Sequence, residues 1–539
     1  MFYPTNFPIK KEEFLLKLLL EIANFPLSQF NSSNIITYIK QIFRKNSYKG
    51  HQIPPMWHLK FVLERHYKEF PSSFYQRVNE ALIKTKVRSW SGIIPVSVFT
   101  GGIGCPFNCV YCANEPNMPK SYFSDEPAVM RAINNNFDPY KQVFNRLQML
   151  YLSGHSLDKI ELIIQGGTFS FYDRVYREEF VKGCFDAANT NIKQAIRTGH
   201  LETKTSANLL DAQTQNETAK QRIIGLTIET RPDFLNQSEI DFLRTLGVTR
   251  VEMGVQAPDE KILKLIKRGH GLKEIWEATK LMKDAGLKIT YHLMPGLPGS
   301  SPQKDLRMLK EIFTNSKYKP DNLKFYPTSV VKYSELAEWH AAGKYQPYSE
   351  ADLTELVLKF KEKIVPPWLR IQRLVRDLTT SDILVDTFPS NLRQKIEVEL
   401  NRRKIQCPCI RCREIKNQIK ADKLQLEILT YSASGGIEHF LQYIDSKNRL
   451  YALLRLRITG KKAVVRELHV YGKVTPLGER AKAKTQHTGL GQKLLKKAES
   501  LSREKGINNL LVISGIGARE YYRKLGYQLN GTYMLKFLG

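Results

Sequence analysis

The 539-residue chain has no apolar run long enough to cross a bilayer. Its most apolar early stretch, 14–25, is broken by Lys17 and Glu21, whereas a spanning helix needs about 20 apolar residues. No small-residue cleavage site follows an apolar core near the N-terminus, so the expectation is a cytoplasmic protein without membrane attachment. Acidic residues are scarce beside basic ones: 53 Asp and Glu against 82 Lys and Arg, a net charge of +29. That balance favours a polyanionic partner, nucleic acid first and membrane surface second. Cysteines are few as well. There are seven, and six of them form two tight triplets, 105/109/112 and 407/409/412. In a reducing compartment such triplets point to metal sites, not disulfides. No internal repeat or low-complexity tract is visible. With 42% hydrophobic and 25% charged residues, wholesale disorder is excluded.

The length suggests about three domains. Residues 1–85 read as helical, with Phe14, Leu15, Leu18, Leu19 and Ile22, then Ile36, Ile39, Ile42 and Phe43, at helical spacing. This basic segment is either a helical cap with a solvated face or an RNA-gripping appendage. From about 90 to 330 six β-rich runs appear: 93–100, 159–165, 223–229, 250–256, 288–293 and 322–326. Helical stretches such as 259–267 and 272–285 separate them, an order that predicts an α/β fold with a parallel sheet. Polar residues fall at the strand ends: Gln165, Glu229, Arg231, Glu252, Gln256 and His292. In α/β barrels the working site gathers there. The apolar-poor segment 189–220 reads as an irregular insertion. Helices resume over 350–400, and 401–423 holds eight Lys/Arg against two acids together with the second triplet.

The run Cys105-Pro106-Phe107-Asn108-Cys109-Val110-Tyr111-Cys112 directly follows the first strand. Three thiolates on one loop can hold three irons of a [4Fe–4S] cube and leave the fourth open. An open iron can chelate S-adenosylmethionine (SAM), whose one-electron reduction gives a 5′-deoxyadenosyl radical. A structural zinc wants four protein ligands, and no fourth Cys or His lies nearby in the sequence. Spacing and strand context together resemble the radical-SAM superfamily. Gly166-Gly167, after the second strand, would then offer backbone groups to the cofactor.

In the third unit, 424–539, paired strands at 451–458 and 463–471 precede Gln486-His487-Thr488-Gly489-Leu490-Gly491-Gln492, which opens a helix over 492–505. A glycine turn at a helix N-terminus presents free N–H groups to a pyrophosphate. The QxxGxG form resembles the acetyl-CoA loop of GNAT acetyltransferases. Tyr522, in a terminal helix ending in Gly526-Tyr527, either reaches the thioester or packs in the core.

Both signatures in one chain resemble the catalytic subunit of Elongator, the tRNA uridine-34 acetyltransferase family. Further carrying segments are Gly154-His155-Ser156-Leu157-Asp158-Lys159, Thr227-Ile228-Glu229-Thr230-Arg231-Pro232, Glu467-Leu468-His469-Val470 and Tyr521-Tyr522-Arg523-Lys524. The short cluster spacing is like that of bacterial or archaeal stand-alone members. The resemblance implies a helical basic tRNA-binding region (1–85), a partial (β/α)6 radical-SAM barrel (86–400), a basic cysteine linker (401–423) and an α+β GNAT domain (424–539). It implies that Cys105, Cys109 and Cys112 ligate the cluster, and that Gly166 and Gly167 contact SAM. Acetyl-CoA would meet Lys159, Glu467, Leu468, His469, Val470, Gln486, Gly489, Leu490, Gly491, Gln492 and Tyr522, with Lys159 and Tyr522 catalytic. Cys407, Cys409 and Cys412 would hold zinc, with no fourth ligand named.

The implied partners are the anticodon stem-loop of tRNA and an electron donor, with a homodimer to be tested. The implied reaction takes a hydrogen from the acetyl methyl group and adds the resulting carbon radical to uracil carbon-5. Loss of an electron and a proton, then thioester hydrolysis, leaves 5-carboxymethyluridine and CoA. The rival enzyme reading is a protein lysine acetyltransferase with a structural Fe–S domain. It needs a general base near the amine, for which Glu467 is the candidate. A non-catalytic RNA-binding scaffold is the third reading.

Overall fold

The computed structural model describes the chain apart from residues 1–7, 24–33, 46–52, 83–91, 103, 200–204, 377–379, 386–390, 416–422 and 473–488. In chain order the strands are β1 (Ile93–Phe99), β2 (Lys159–Gln165), β3 (Arg222–Thr230), β4 (Arg250–Gln256), β5 (Lys288–Leu293), β6 (Asn322–Phe325), β7 (Val330–Val331), β8 (Arg370–Arg373), β9 (Ile383–Val385), β10 (Gln425–Ala433), β11 (Gly436–Ile444), β12 (Leu450–Thr459), β13 (Lys462–Val470), β14 (Asn509–Val512), β15 (Gln528–Asn530) and β16 (Tyr533–Phe537). The chain forms two compact units. One comprises Met1–Val96, Asp138–Glu161 and Glu179–Ile224; the other comprises Ser97–Phe137, Leu162–Glu178 and Gly225–Gly539. The division passes through β1, β2 and β3.

The first unit is mainly helical, and within 1–85 the described helices follow the expected apolar spacing. Leu15, Leu18, Leu19 and Ile22 of helix Ile9–Ala23 are all buried. Glu64, fully buried, accepts hydrogen bonds from Tyr75 Oη and Tyr151 Oη, each at 2.5 Å, and from Arg197 Nε at 2.9 Å. The expected irregular insertion over 189–220 is instead helical. Asn191 caps Ile192–Thr198 and Asn208 caps Leu209–Thr218, each side chain satisfying one of the N–H groups left free at a helix start. Polar Gln213, Asn216 and Glu217 share the buried face there with Ile192, Ile196 and Leu209. Asn216 donates to Asn189 Oδ1 (2.8 Å) and to Gln221 O (3.1 Å), and its Oδ1 accepts from Ile223 N (2.8 Å).

The seven-stranded sheet runs β1-β2-β3-β4-β5-β6-β8, with parallel pairing from β3 through β8. It is the expected half-barrel. β2, β4 and β5 have the expected bounds, while β8 is an additional strand.

The second unit continues into another seven-stranded sheet, β10-β11-β12-β13-β14-β16-β15. One face of β12 carries Leu454 and Leu456, which join Leu494, Leu495 and Ala498 of helix Leu490–Glu504 in a common core. Its other face carries Arg455 and Arg457, also almost fully buried. Arg457 stands opposite Glu438 on β11 and pairs with it at 3.1 Å. Arg455 stands opposite Glu467 on β13 and pairs with it at 2.8 Å.

The same face meets the half-barrel. Asp321, just before β6, takes both ends of the Arg466 guanidinium, at 2.9 and 2.5 Å. Lys283 lies 3.8 Å from both Asp321 and Glu438, and burial pulls its ammonium pKa down to about 8. Asp284 pairs with Arg457 at 2.6 Å. Charges this deep are tolerable only when paired and hydrogen-bonded, so the network fixes the C-terminal sheet on the barrel wall.

Candidate active site

The cysteine loop leaves β1 and is tied down at both ends. Gly104 N donates to Tyr172 Oη (3.0 Å), and Thr168 N donates to Gly104 O (2.8 Å). Gly166 and Gly167 have φ of +127° and +99°, open to glycine but strained for other residues. A Cβ on Gly104 would lie 2.5 Å from Gly166 O, and one on Gly167 would lie 2.9 Å from Gly104 O. The glycine pair singled out in the sequence therefore lies backbone to backbone against the cysteine loop. Farther along, Val110 N donates to Ile266 O (3.1 Å), and Val110 O accepts from Leu336 N (2.8 Å).

Two buried arginines face the middle cysteine. Arg268 Nη1 is 3.5 Å and Arg231 Nη1 is 4.0 Å from Cys109 Sγ. Asp233 grips Arg231 at 3.0 and 2.9 Å, and the Arg231 guanidinium lies 3.5 Å from the centroid of the Phe107 ring. Thr168 Oγ1 donates to Cys105 Sγ at 3.4 Å. Burial, with Cys109 and Cys105 beside it, pushes the Cys112 thiol up to about 11. Three thiols on one loop under fixed positive charge suit a group that deprotonates them and carries negative charge itself, as a thiolate-ligated iron–sulfur cluster does. The three sulfurs are not all within 4.8 Å of one another, unlike those of the second triplet.

Four of the six strand-end residues, Gln165, Glu229, Glu252 and His292, meet in one network. Tyr122 Oη donates to Glu229 Oε2 (2.6 Å), and Gln165 Nε2 reaches both Tyr122 Oη (3.2 Å) and Glu229 Oε1 (3.4 Å). His292 Nε2 lies 3.1 Å from Glu252 Oε2. Parallel register sets Glu229 beside Glu252 and His292 beside Lys324. Lys324 was not singled out at the rim, yet its ammonium pairs with Glu252 and lies 3.7 Å from Glu229. Burial works against ionisation of Glu252, but Lys324 and His292 hold its carboxyl far below the usual range. Glu229, Glu252 and His292 could gather an ion, but Lys324 already supplies the cation. Gln256 carries a buried Oε1 with no partner among the described residues. Tyr122 and Lys324 lie in segments that carry the family resemblance, 120–122 and 323–328, but the sequence gives neither a place at the rim.

The residues expected to meet acetyl-CoA are distributed as follows. Gly489 (φ +79°) caps helix Leu490–Glu504. A Cβ on Gly491 would lie 3.0 Å from Tyr521 Oη, 3.6 Å from Val470 Cγ2 and 3.8 Å from Leu468 Cδ2. Leu490, Gly491 and Gln492 thus open the helix beside Leu468 and Val470. The β13–β14 pairing covers only Ala463–Val465, so the strands part before that point. The His469 and Tyr471 rings lie against each other at a tilt of 43°, centroids 4.2 Å apart. Tyr522 is buried in the core beside Tyr527, which is the packing alternative raised above. Gln486 lies outside the described residues. Lys159 opens β2, in the first unit, and burial lowers its pKa. Glu467 is held between Arg455 Nε (2.8 Å) and Lys288 Nζ (3.2 Å); against the cost of burial, these cations keep its carboxyl far below the usual range. A carboxylate so anchored is a poor general base, which weighs against the lysine acetyltransferase reading.

In the second triplet, Cys407, Cys409 and Cys412 bring their sulfurs within 4.8 Å of one another. Lys361 Nζ lies 3.5 Å from Cys412 Sγ. No fourth His, Cys, Asp or Glu joins this group among the described residues.

The radical SAM superfamily model matches residues 100–312, and the Radical_SAM C-terminal domain model matches 320–402. The chain is 43% identical over 473 residues to the tRNA uridine(34) acetyltransferase of Dehalococcoides mccartyi, covering 85% of this chain and all of that one. It is 37% identical to human Elongator complex protein 3, covering 86% of this chain and 88% of that one. Among solved structures it resembles archaeal Methanocaldococcus infernus Elp3 with its N-terminus deleted. That match has 40% identity and a TM-score of 0.71, covering 83% of this chain and 99% of that one.

Proposed function

We infer the function of this chain from its family: it belongs to the family of tRNA uridine(34) acetyltransferases and Elongator complex protein 3. It is a radical-SAM enzyme that modifies the wobble uridine of tRNA. The observation that carries this reading is the cysteine loop seated on Gly166-Gly167 and faced by Arg231 and Arg268. Cys105, Cys109 and Cys112 would hold the [4Fe–4S] cluster, and the backbone around Gly166 and Gly167 would meet SAM. When bound, cluster and SAM supply a 5′-deoxyadenosyl radical able to take a hydrogen from an unactivated carbon. Arg231 and Arg268 offset the thiolate charge. The paired Glu229–Lys324–Glu252 charges keep the rim polar without leaving a free carboxylate to quench a cation.

The C-terminal unit, 424–539, would be the GNAT domain. Acetyl-CoA would lie where β13 and β14 part, its pyrophosphate at the start of helix Leu490–Glu504, where free N–H groups and the helix dipole favour an anion. Leu468–Val470 and Leu490–Gln492 would line that site. Residues 1–85 and the basic linker 401–423 would grip tRNA phosphates, making affinity fall steeply with salt. An external electron donor, a homodimer and a cytoplasmic location complete the proposal. No helix among the described residues is long and apolar enough to cross a membrane.

The decisive experiment supplies acetyl-CoA with a fully deuterated methyl group, SAM, reductant and tRNA. Deuterium is expected in 5′-deoxyadenosine and, as a CD2 group, in the uridine product 5-carboxymethyluridine. An intact CD3-acetyl group on protein lysine, with none in 5′-deoxyadenosine, overturns the reading.

The second triplet is proposed to hold zinc. Cys407→Ser should lower zinc from about one per chain toward zero while cluster iron is unchanged, measured by elemental analysis. Loss of iron in that variant would mean that the two sites are not independent.

A further inference from the structure

A groove of about 480 Å3 lies between the end of helix Glu260–Leu265, the loop after β5 and segment 339–348. That size is within the range of small-ligand sites. Leu265, Leu297, Pro298, Trp339, Lys344 and Tyr348 are among its lining residues, and none of them takes part in the site already described.

The groove is built around fixed rings. Tyr345 Oη donates to Gly296 O (2.6 Å), and Tyr348 Oη donates to Asp305 Oδ2 (2.7 Å). The same Asp305 accepts from Gly296 N (2.7 Å) and from Ser300 Oγ (2.6 Å). Both tyrosine hydroxyls are therefore engaged by the protein, and the rings are held as flat apolar walls. Trp339 is half-buried and Lys344 is exposed. Among the described residues Lys344 forms no ion pair.

Both sides of the groove hold the cysteine loop. Ile266, next to Leu265, accepts from Val110 N, and Leu336, on the helix that carries Trp339, donates to Val110 O. The elements that wall the groove therefore also hold the backbone of the cysteine loop.

We propose that this groove takes one unpaired RNA nucleotide adjacent to the modified uridine, its base stacked on Trp339 and its phosphate met by Lys344. The inference rests on the RNA-modifying reading above. A base offers two flat faces to fixed aromatic walls, and single-stranded RNA is recognised by such stacking. The cation and the net charge of +29 suit the phosphate.

The test uses the full chain with reconstituted cluster and two anticodon stem-loop RNAs, one intact and one with an abasic nucleotide beside the modified uridine. On intact RNA, Trp339→Ala should weaken binding about ten-fold, the effect of one stacked base, and Trp339→Phe should restore most of it. On the abasic RNA, wild type should show the same loss and Trp339→Ala should lose nothing more. Lys344→Glu, at an exposed position where folding is not at stake, should weaken binding and lower the salt dependence by roughly one counterion. Unchanged affinity in both Trp339→Ala and Lys344→Glu overturns the proposal while leaving the RNA-modifying reading intact, provided wild type still forms the modified uridine. An equal Trp339→Ala loss on both RNAs, or slower reduction by an acidic protein donor as the only defect, also overturns it. If wild type forms no modified uridine, the RNA-modifying reading itself fails and takes the groove assignment with it.

Discussion

Cys109→Ala should abolish both the visible absorbance of the anaerobically reconstituted protein and all release of 5′-deoxyadenosine. Cys109 is the most buried thiol of its triplet and the one that Arg268 and Arg231 approach. Its loss removes one of three ligands to a cluster that has no spare ligand on this loop. It also leaves two buried guanidiniums facing a methyl group, a position charged groups tolerate poorly. Thr168→Val, which removes the hydrogen bond to Cys105 but no ligand, should keep the cluster and reduce the cleavage rate only several-fold. A Cys109→Ala protein that still produced 5′-deoxyadenosine would show that the cluster assignment is wrong.

Asp321→Ala should destabilise the second unit by about 3–5 kcal/mol, the cost of leaving a buried charge without its partner. Arg466 loses both contacts to this carboxylate, and Lys283 and Arg455 lose a neighbouring negative charge. The backbone amide of Ile289, which donates to Asp321 Oδ2 at 2.9 Å, loses its acceptor. Chemical denaturation followed through the C-terminal sheet measures the effect. The double variant Asp321→Leu/Arg466→Met should recover much of the loss, because an apolar replacement for a whole buried pair is often neutral. A loss below about 1 kcal/mol in the single variant, the range of exposed ion pairs, would refute the network's role. pH offers a second measurement. Burial opposes ionisation of Asp321, but Arg466, Lys283 and Arg455 outweigh it and hold the carboxyl far below the usual range. A lowered folded pKa gives stability that is fully present above the unfolded value of about 3.9 and is lost as pH falls toward the folded one. Wild type should therefore lose stability in acid more steeply than Asp321→Ala.

The half-barrel was legible because β2, β4 and β5 alternate or run apolar between glycine and proline turns. The cysteine loop and the glycine pair were legible because their spacing is itself the chemistry. What escaped detection was polar. β8 reads Arg-Ile-Gln-Arg with only Ile371 buried, too weak a pattern to register. The helices over 189–220 bury asparagine where an apolar side chain would normally mark a core face. β12 was found as a strand, but its alternate arginines suggest a solvated face. Arg455 and Arg457 are instead among the largest fully buried side chains, because Asp284, Asp321 and Glu438 pair with them. At the rim, Lys324 gains its partners through the strand register, whereas Tyr122 reaches Glu229 from a loop 107 residues away in sequence.

That buried network also sets a schedule for synthesis on the ribosome. Asp321 and its partner Arg466 are 145 residues apart in the chain. At roughly 5–20 residues per second, Asp321 waits about 7–30 s before the arginine is added. Throughout that interval Asp321 and Lys283 must stay hydrated, so the nascent barrel wall has to remain open to water. Slowing translation after residue 321 prolongs that open stage, and chaperone occupancy of stalled nascent chains should rise there and fall once residue 466 has cleared the exit tunnel.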